Sequence, residues 1–293
     1  MDVGRVGIWT GQLDLQSAAQ AREVAAELDE LGYGTLWVPE AVGRDALSHA
    51  GLLLDATRRL VVATGVANIY NRLPGVTAMA QRLLADDSGG RFLLGLGVSH
   101  QPMVEGMLHQ DWGKPYSYMQ SYLDGLDGAF TVSPAPAEEP PRVLAALGPK
   151  MLELAAARAW GAHTYFVPVE HTSVARGHLG EGPMLLVEQG AVLATDPEVA
   201  RDAARKHMRM YLTLPNYVNN LRRLGWGDDD LGDGGSDRLV DALVAWGEPE
   251  AIAARVAEHL DAGADHVCLQ VLDQDVTKLP LDEWRTLAPA VLG

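Results

Sequence analysis

Val6-Gly7-Ile8-Trp9-Thr10-Gly11-Gln12-Leu13-Asp14-Leu15-Gln16-Ser17 sets the pattern that decides the fold. Its first four residues form a short apolar run, polar Gln12, Asp14 and Gln16 follow, and a helix-like segment then runs from Ser17 to Leu31 and stops at Gly32. The same strand, loop and helix recur as Thr35 to Val38 with Leu47 to Arg59, Leu60 to Ala67 with Val76 to Asp87, and Arg91 to Val98 with Tyr116 to Ala129. Regular alternation of this kind implies parallel strands joined by crossover helices. In the second half, Arg142 to Leu147 pairs with Pro149 to Trp160, and Ala162 to Val167 reads as a sixth strand. Met184 to Ala194 is a seventh, followed by helical stretches at Pro197 to Leu212, Pro215 to Leu224, Arg238 to Trp246 and Pro249 to Ala262. His266 to Leu272 with Leu281 to Leu292 completes an eighth unit. Eight units predict an α/β fold of the (β/α)₈ TIM-barrel type, one domain over residues 1–293 with insertions at the carboxyl-terminal face. A doubly wound sheet would carry a glycine-rich turn after its first strand, and Thr10-Gly11-Gln12-Leu13 is not one.

The composition narrows the function. With 47% hydrophobic and 21% charged residues, the 293-residue chain has enough apolar material for a barrel and its helical coat. The formal charge of −16, without any run of Lys and Arg, argues against a nucleic-acid partner. Met1 to Trp9 has no basic region leading into an apolar run, and no later stretch is long enough to span a bilayer, so the reading is cytoplasmic, with no membrane partner. Cys268, the single cysteine, lies among Val267, Leu269 and Val271 as a buried strand thiol. No His-x-Glu, Cys-x-x-Cys or helically spaced His pair occurs, so no metal site is expected.

Barrels of this class build their active sites at the carboxyl ends of the strands. Gly65, inside the third strand and ahead of Asn68 to Arg72, marks either a packing position or a bulge close to a ligand. Gly95-Leu96-Gly97 has the same ambiguity, and Val98-Ser99-His100 follows it directly. An imidazole at His100 is suited to proton transfer near neutral pH. Glu40, just past Leu36-Trp37-Val38, is either an orienting or basic carboxylate or a solvated loop charge. Gly148, Pro149, Lys150 and Met151 open a helix, where free backbone N–H groups and one cation suit a phosphate, although Pro in a first turn is also purely structural.

In order along nearly the whole chain, Leu36-Trp37-Val38-Pro39-Glu40, Thr64 to Asn68, Phe92 to His100, Gly148 to Met151 and Ala262-Gly263-Ala264-Asp265-His266-Val267 resemble the luciferase-like monooxygenase superfamily, in particular its F420-dependent oxidoreductase branch. The resemblance implies a non-prolyl cis peptide at Gly65-Val66, backing the central ring of a flavin-type cofactor. It implies that Glu40 contacts the ring, that Asn68 reaches its polar edge, and that Gly97, Ser99 and His100 lie near the reacting carbon, His100 as acid or base. It implies that Gly148 to Met151 hold the cofactor phosphate, with Lys150 adding charge. The cofactor implied is the deazaflavin coenzyme F420, serving hydride transfer to or from a small organic substrate in a homodimer; the alternative is the same fold using FMN as a monooxygenase.

Trp9, His171, Arg176, Asn216 and Tyr217 are substrate-side candidates by position, the stretch from Val169 to Thr172 being read as a lid. The glutamyl tail of F420 would need a basic groove, to which Arg44, Arg72 and Arg176 would contribute. Readings of another class are a non-redox lyase or isomerase and a non-catalytic cofactor carrier. The first expects a Schiff-base lysine or metal-binding carboxylates at strand ends, and neither stands out.

Overall fold

The computed structural model describes residues 1–293. Its strands are β1 (Val6–Trp9), β2 (Thr35–Val38), β3 (Val61–Thr64), β4 (Ala67–Asn68), β5 (Phe92–Gly97), β6 (Arg142–Ala145), β7 (Gly161–Thr164), β8 (Met184–Val192), β9 (Val244–Trp246) and β10 (His266–Val271). Its helices are α1 (Ala18–Leu31), α2 (Ala46–Asp55), α3 (Pro74–Asp87), α4 (Gln101–Gly106), α5 (Pro115–Asp127), α6 (Pro149–Arg158), α7 (Val169–Leu179), α8 (Pro197–Tyr211), α9 (Pro215–Arg223), α10 (Asp228–Leu231), α11 (Asp237–Leu243), α12 (Pro249–Asp261) and α13 (Leu281–Leu292). The strands pair in parallel in the order β10-β1-β2-β3-β5-β6-β7-β8, and β8 pairs with β10 to close an eight-stranded TIM barrel. No helix is long and apolar enough to cross a membrane.

Local chemistry sets the elements as the sequence suggests. Ser17 and Gln20 form a reciprocal capping box at the start of α1, and Gly32 ends it at φ 93°. Three departures matter. The expected third strand, Leu60 to Ala67, divides into β3 and β4 around Gly65 and Val66, whose peptide bond is cis, as the resemblance implies. The expected helix from Arg238 to Trp246 ends at Leu243, because β-branched and aromatic Val244 to Trp246 continue as β9 beside the far end of β8. Val169 to Thr172 is no lid, since it forms the first turn of α7 and His171 and Thr172 are buried there.

The break in the third strand accounts for the glycines of the fourth. A Cβ on Gly95 would stand 2.0 Å from the carbonyl oxygen of Thr64, and one on Gly97 would stand 2.4 Å from Val66 Cγ2. Thr64 Oγ1 fastens the same contact, accepting from Gly95 N at 2.8 Å and donating to Gly95 O at 2.7 Å. Gly95-Leu96-Gly97 is therefore a packing device that admits the β3–β4 turn. Gly95→Ala is expected to destabilise the fold by about 1–3 kcal/mol, because the clash is with backbone that cannot move aside. Gly75→Ala, on α3 with open space around it, should leave the melting temperature unchanged or slightly raised.

The barrel interior carries polar groups as well as Trp9, Trp37, Leu93, Leu186 and Cys268. His163 stacks on Trp37 at 4.5 Å and donates from Nδ1 to Leu186 O. His266 accepts from Trp37 Nε1 at 3.1 Å and donates from Nδ1 to Gly4 O at 2.8 Å. Burial pushes His163 and His259 down to about 3 and His266 down to about 4, and pushes the Glu188 carboxyl up to about 8. Below pH 6.5 the unfolded chain protonates these three histidines while the folded chain does not, so stability falls as pH falls. Glu188 opposes this, being protonated in the fold and ionised in the unfolded chain above pH 4.5. His207, which burial also pushes down to about 4, adds a fourth proton, and four against one leaves three, so urea unfolding should show stability falling by roughly 4 kcal/mol per pH unit between about pH 6 and 4.5.

Candidate active site

At the carboxyl ends of the strands a cleft of about 440 Å³ lies over β2 to β7 and is bordered by α4, α8 and α9. A second space of about 330 Å³ shares Val66, Gly97, Ser99, His100 and Tyr217 with it and runs on to Gly148 and Met151. Together they form one elongated slot with Val66, Gly97 and Ala145 at its base.

One end is organised by Glu40. Its carboxylate accepts from Asn68 N at 2.7 Å, from Ala46 N at 3.3 Å and from Arg72 Nη1 at 2.9 Å, and the second guanidinium nitrogen of Arg72 donates to Oε1. Arg72 also pairs with Asp45. Glu40 thus ties the end of β2 to β4 and to the start of α2. With both oxygens engaged by these donors, it is an anchor and not the free base that the sequence allowed. Asn68 is buried, and its Oδ1 accepts from Tyr70 N at 3.0 Å. Trp9, from β1, donates from Nε1 to Gly65 O at 3.0 Å and so braces the bulge beneath the slot.

His100 stands at the middle of the slot, at the N-cap of α4, after Ser99 turns the chain at φ 56°. Burial lowers its pKa, and a hydrogen bond with the Asn216 side chain partly offsets this, so the ring is neutral at neutral pH and able to accept a proton. The ring of Tyr217 lies 5.6 Å away.

At the other end, Gly148 leads into α6, where Pro149 has no N–H and Met151 N donates to Gly148 O at 3.1 Å, so that the Lys150 N–H alone of the first turn lacks a backbone acceptor. A Cβ on Gly148 would meet only the guanidinium of Arg223, at 3.5 Å. That group, held by Asn220 Oδ1 at 3.0 Å, brings a cation from α9 to the helix start. Pro149 and Lys150 are exposed and lie outside the wall of the slot.

Several positions differ from the sequence expectation. His171 is buried behind the loop, bonded through Nε2 to Leu147 O at 2.9 Å, and so supports the Gly148 turn instead of meeting a substrate. Arg176 lies at the opposite end of the barrel, donating to Gly263 O and Pro183 O just ahead of β10 and β8, because α7 carries it away from the mouth. The expected basic groove of Arg44, Arg72 and Arg176 does not form. Arg44 is engaged with His49 and Gln16 O, Arg72 with carboxylates, and Arg176 with Asp265.

Sequence reasoning overlooked Tyr165, His163, Met103, Met107, Met210 and Tyr211, all of which line the cleft, and Arg223, whereas Leu214 lies in the Leu214 to Asn220 stretch that the sequence placed toward the substrate. β7 ends at Thr164, three residues before the expected Val167, which places Tyr165 directly at the strand end. Its hydroxyl lies 2.8 Å from Gln270 Oε1 and 2.9 Å from Tyr211 Oη.

The class defined so far is a TIM barrel with a cleft at the carboxyl ends of its strands, apolar at one end and with Arg223 beside the start of α6 at the other. Residues 2–266 match the family model described as luciferase-like monooxygenase, and the chain belongs to that family. A putative coenzyme F420-dependent oxidoreductase of Mycobacterium tuberculosis is 34% identical over 125 residues, which span 42% of this chain and 36% of that relative. The structure of the coenzyme F420-dependent tetrahydromethanopterin reductase of Methanopyrus kandleri superposes with a TM-score of 0.77 at 17% identity, covering 100% of this chain and 99% of that one. A type II Baeyer-Villiger monooxygenase of Pseudomonas putida in complex with FMN superposes with a TM-score of 0.72 at 15% identity, covering 98% and 96%. These superpositions establish the fold.

Removing the Glu40 carboxylate would leave Arg72 with Asp45 alone and release Asn68 N and Ala46 N. Breaking a pair this buried costs about 3 kcal/mol or more. Glu40→Ala should lose about that much in urea unfolding, and Glu40→Gln, which still accepts hydrogen bonds, should lose clearly less.

Proposed function

We propose that the protein is an oxidoreductase that transfers a hydride between coenzyme F420 and a small organic substrate. The observation that carries this reading is the continuity of the slot from the Glu40 and Asn68 end, past His100, to the start of α6 with Arg223 beside it. Its length and its two chemically different ends fit a ring joined to a phosphate. The relative and the superposed reductase named for F420 support the choice of cofactor.

When bound, the deazaflavin supplies the site at which a hydride is taken up or released. The chain would do the remaining work. Val66 would back the ring, with Gly97 and Ala145 beside it, and Asn68 would meet its polar edge. The Lys150 N–H at the start of α6 and Arg223 would hold the phosphate. His100, neutral at working pH, would take the substrate hydroxyl proton on an imidazole nitrogen and return it in the reverse direction.

A second reading, FMN in place of F420, is favoured by the engagement of Arg44, Arg72 and Arg176 elsewhere, which leaves the expected tail groove without those cations. The superposed FMN enzyme agrees with it. Fluorescence and absorbance titrations with each cofactor separate the two. The expected outcome is F420 binding that His100→Ala retains with turnover lost about 100-fold or more. Arg223→Ala should weaken F420 about tenfold while leaving its phosphate-free deazaflavin core unaffected. Tight FMN binding without F420 binding would replace the cofactor, and full turnover by His100→Ala would remove His100 from the reaction.

We also propose a homodimer joined through α3, whose Val76, Met79 and Leu83, with Leu73 ahead of it, are exposed apolar side chains. A self-complementary stripe of this kind suits a twofold interface. Light scattering should give twice the chain mass, and Met79→Glu with Leu83→Glu should give the monomer. A monomeric wild type would contradict it.

A further inference from the structure

The end of the cleft away from α6 has a wall of unusual uniformity. Met103 and Met107, at α4, share the cavity with Met210, Tyr211, Leu214 and Tyr217, from the α8–α9 corner. Met107 and Met210 are 56% and 58% exposed, so the rim presents thioethers to water where a surface normally carries charge. Thioether side chains are unbranched and polarisable, and they fit apolar bodies of varied shape.

The same cavity offers no free permanent charge to neutralise an ion. No Lys or Arg lines it, and its only carboxylate, Glu40, is saturated by Arg72 and two backbone N–H groups. His163 stays neutral because burial holds it near 3. The Tyr165 hydroxyl is engaged with Gln270 and Tyr211. Moving a charged group from water into such a place without a partner is strongly unfavourable. The net charge of −16 further disfavours approach by an anion. Arg223 does not alter this balance, because it lines the other space, with Gly148.

We propose that the substrate is a neutral, largely apolar carbinol or carbonyl compound, its body between the Met103–Met107 and Met210–Leu214 walls and its oxygen toward His100. The assignment rests on the hydride-transfer reading above. In the oxidising direction the carbinol C–H bond breaks and its electron pair leaves with the hydrogen to the oxidised deazaflavin. The O–H proton passes to His100, and the carbonyl double bond forms. In the reducing direction His100 would return the proton to the carbonyl oxygen as the hydride arrives from the reduced deazaflavin.

The test is an equilibrium titration of F420-loaded protein, or FMN-loaded protein if that is the form that assembles, read from the perturbation of the cofactor spectrum without turnover. The probes are acetone, cyclohexanone and acetophenone, with 4-acetylbenzoate and 4-acetylphenyltrimethylammonium as charged counterparts of acetophenone. Acetophenone should bind at least about tenfold tighter than either charged counterpart, and affinity should rise with apolar size along the neutral series. Met210→Lys should shift the ratio toward 4-acetylbenzoate by about fivefold or more. Equal affinities, preference for a charged counterpart, or no binding of any neutral member up to its solubility limit would overturn the substrate class alone. Failure of both cofactors to bind would overturn the function reading and the substrate class with it.

Discussion

The site depends on the fit of the Thr64-Gly65-Val66 turn into the glycine-lined surface of β5. The Thr64 carbonyl occupies the volume that a side chain at residue 95 would need, and the Val66 side chain occupies that of residue 97. Trp9 holds the Gly65 carbonyl from one side, and Glu40 holds Asn68 just beyond the turn. Four strand ends are thereby locked to a single bulge, and the base of the cleft inherits its shape from that lock. Preorganisation of this kind is what a site needs if it is to orient a flat ring.

Charge is distributed to match. An acidic chain repels anions at long range, yet the cleft has one local positive region, where α6 begins and Arg223 reaches in from α9. Arg44 and Arg72 near the mouth are tied into ion pairs or carbonyl contacts, which give structure and no net attraction. Between the Arg223 end and the apolar rim stands His100, whose pKa burial lowers. The polarity of the slot thus changes along its length from cationic to titratable to apolar.

Much of this was legible in the sequence, for reasons that can be traced. Alternating apolar runs and helical periods revealed the barrel because each unit carries its own local signals, such as the Ser17 cap and Gly32. Glu40, Asn68, Gly97, Ser99, His100 and Gly148 were recoverable because they sit within a few residues of strands whose ends are sharply marked. The partners of Glu40 were not legible, since its four donors come from residues 46, 68 and 72, and no local pattern announces them. Arg176 was misplaced because a helix C-terminus returns to the amino face of a barrel, where Gly263 and Asp265 receive it. Arg223 and the methionine walls were missed because α4, α8 and α9 belong to the excursions from the repeat. Their approach to the cleft is a long-range packing result that periodicity does not encode.

The most direct measurement of the central claim is a crystal structure of the protein with F420 bound. The account predicts the ring plane against Val66, its reacting carbon within about 4 Å of the space beside His100, and the phosphate on the Lys150 N–H at the start of α6 within hydrogen-bonding reach of Arg223. A ring seated away from the β3–β4 turn, or a phosphate bound elsewhere than at Gly148 to Met151, would contradict it.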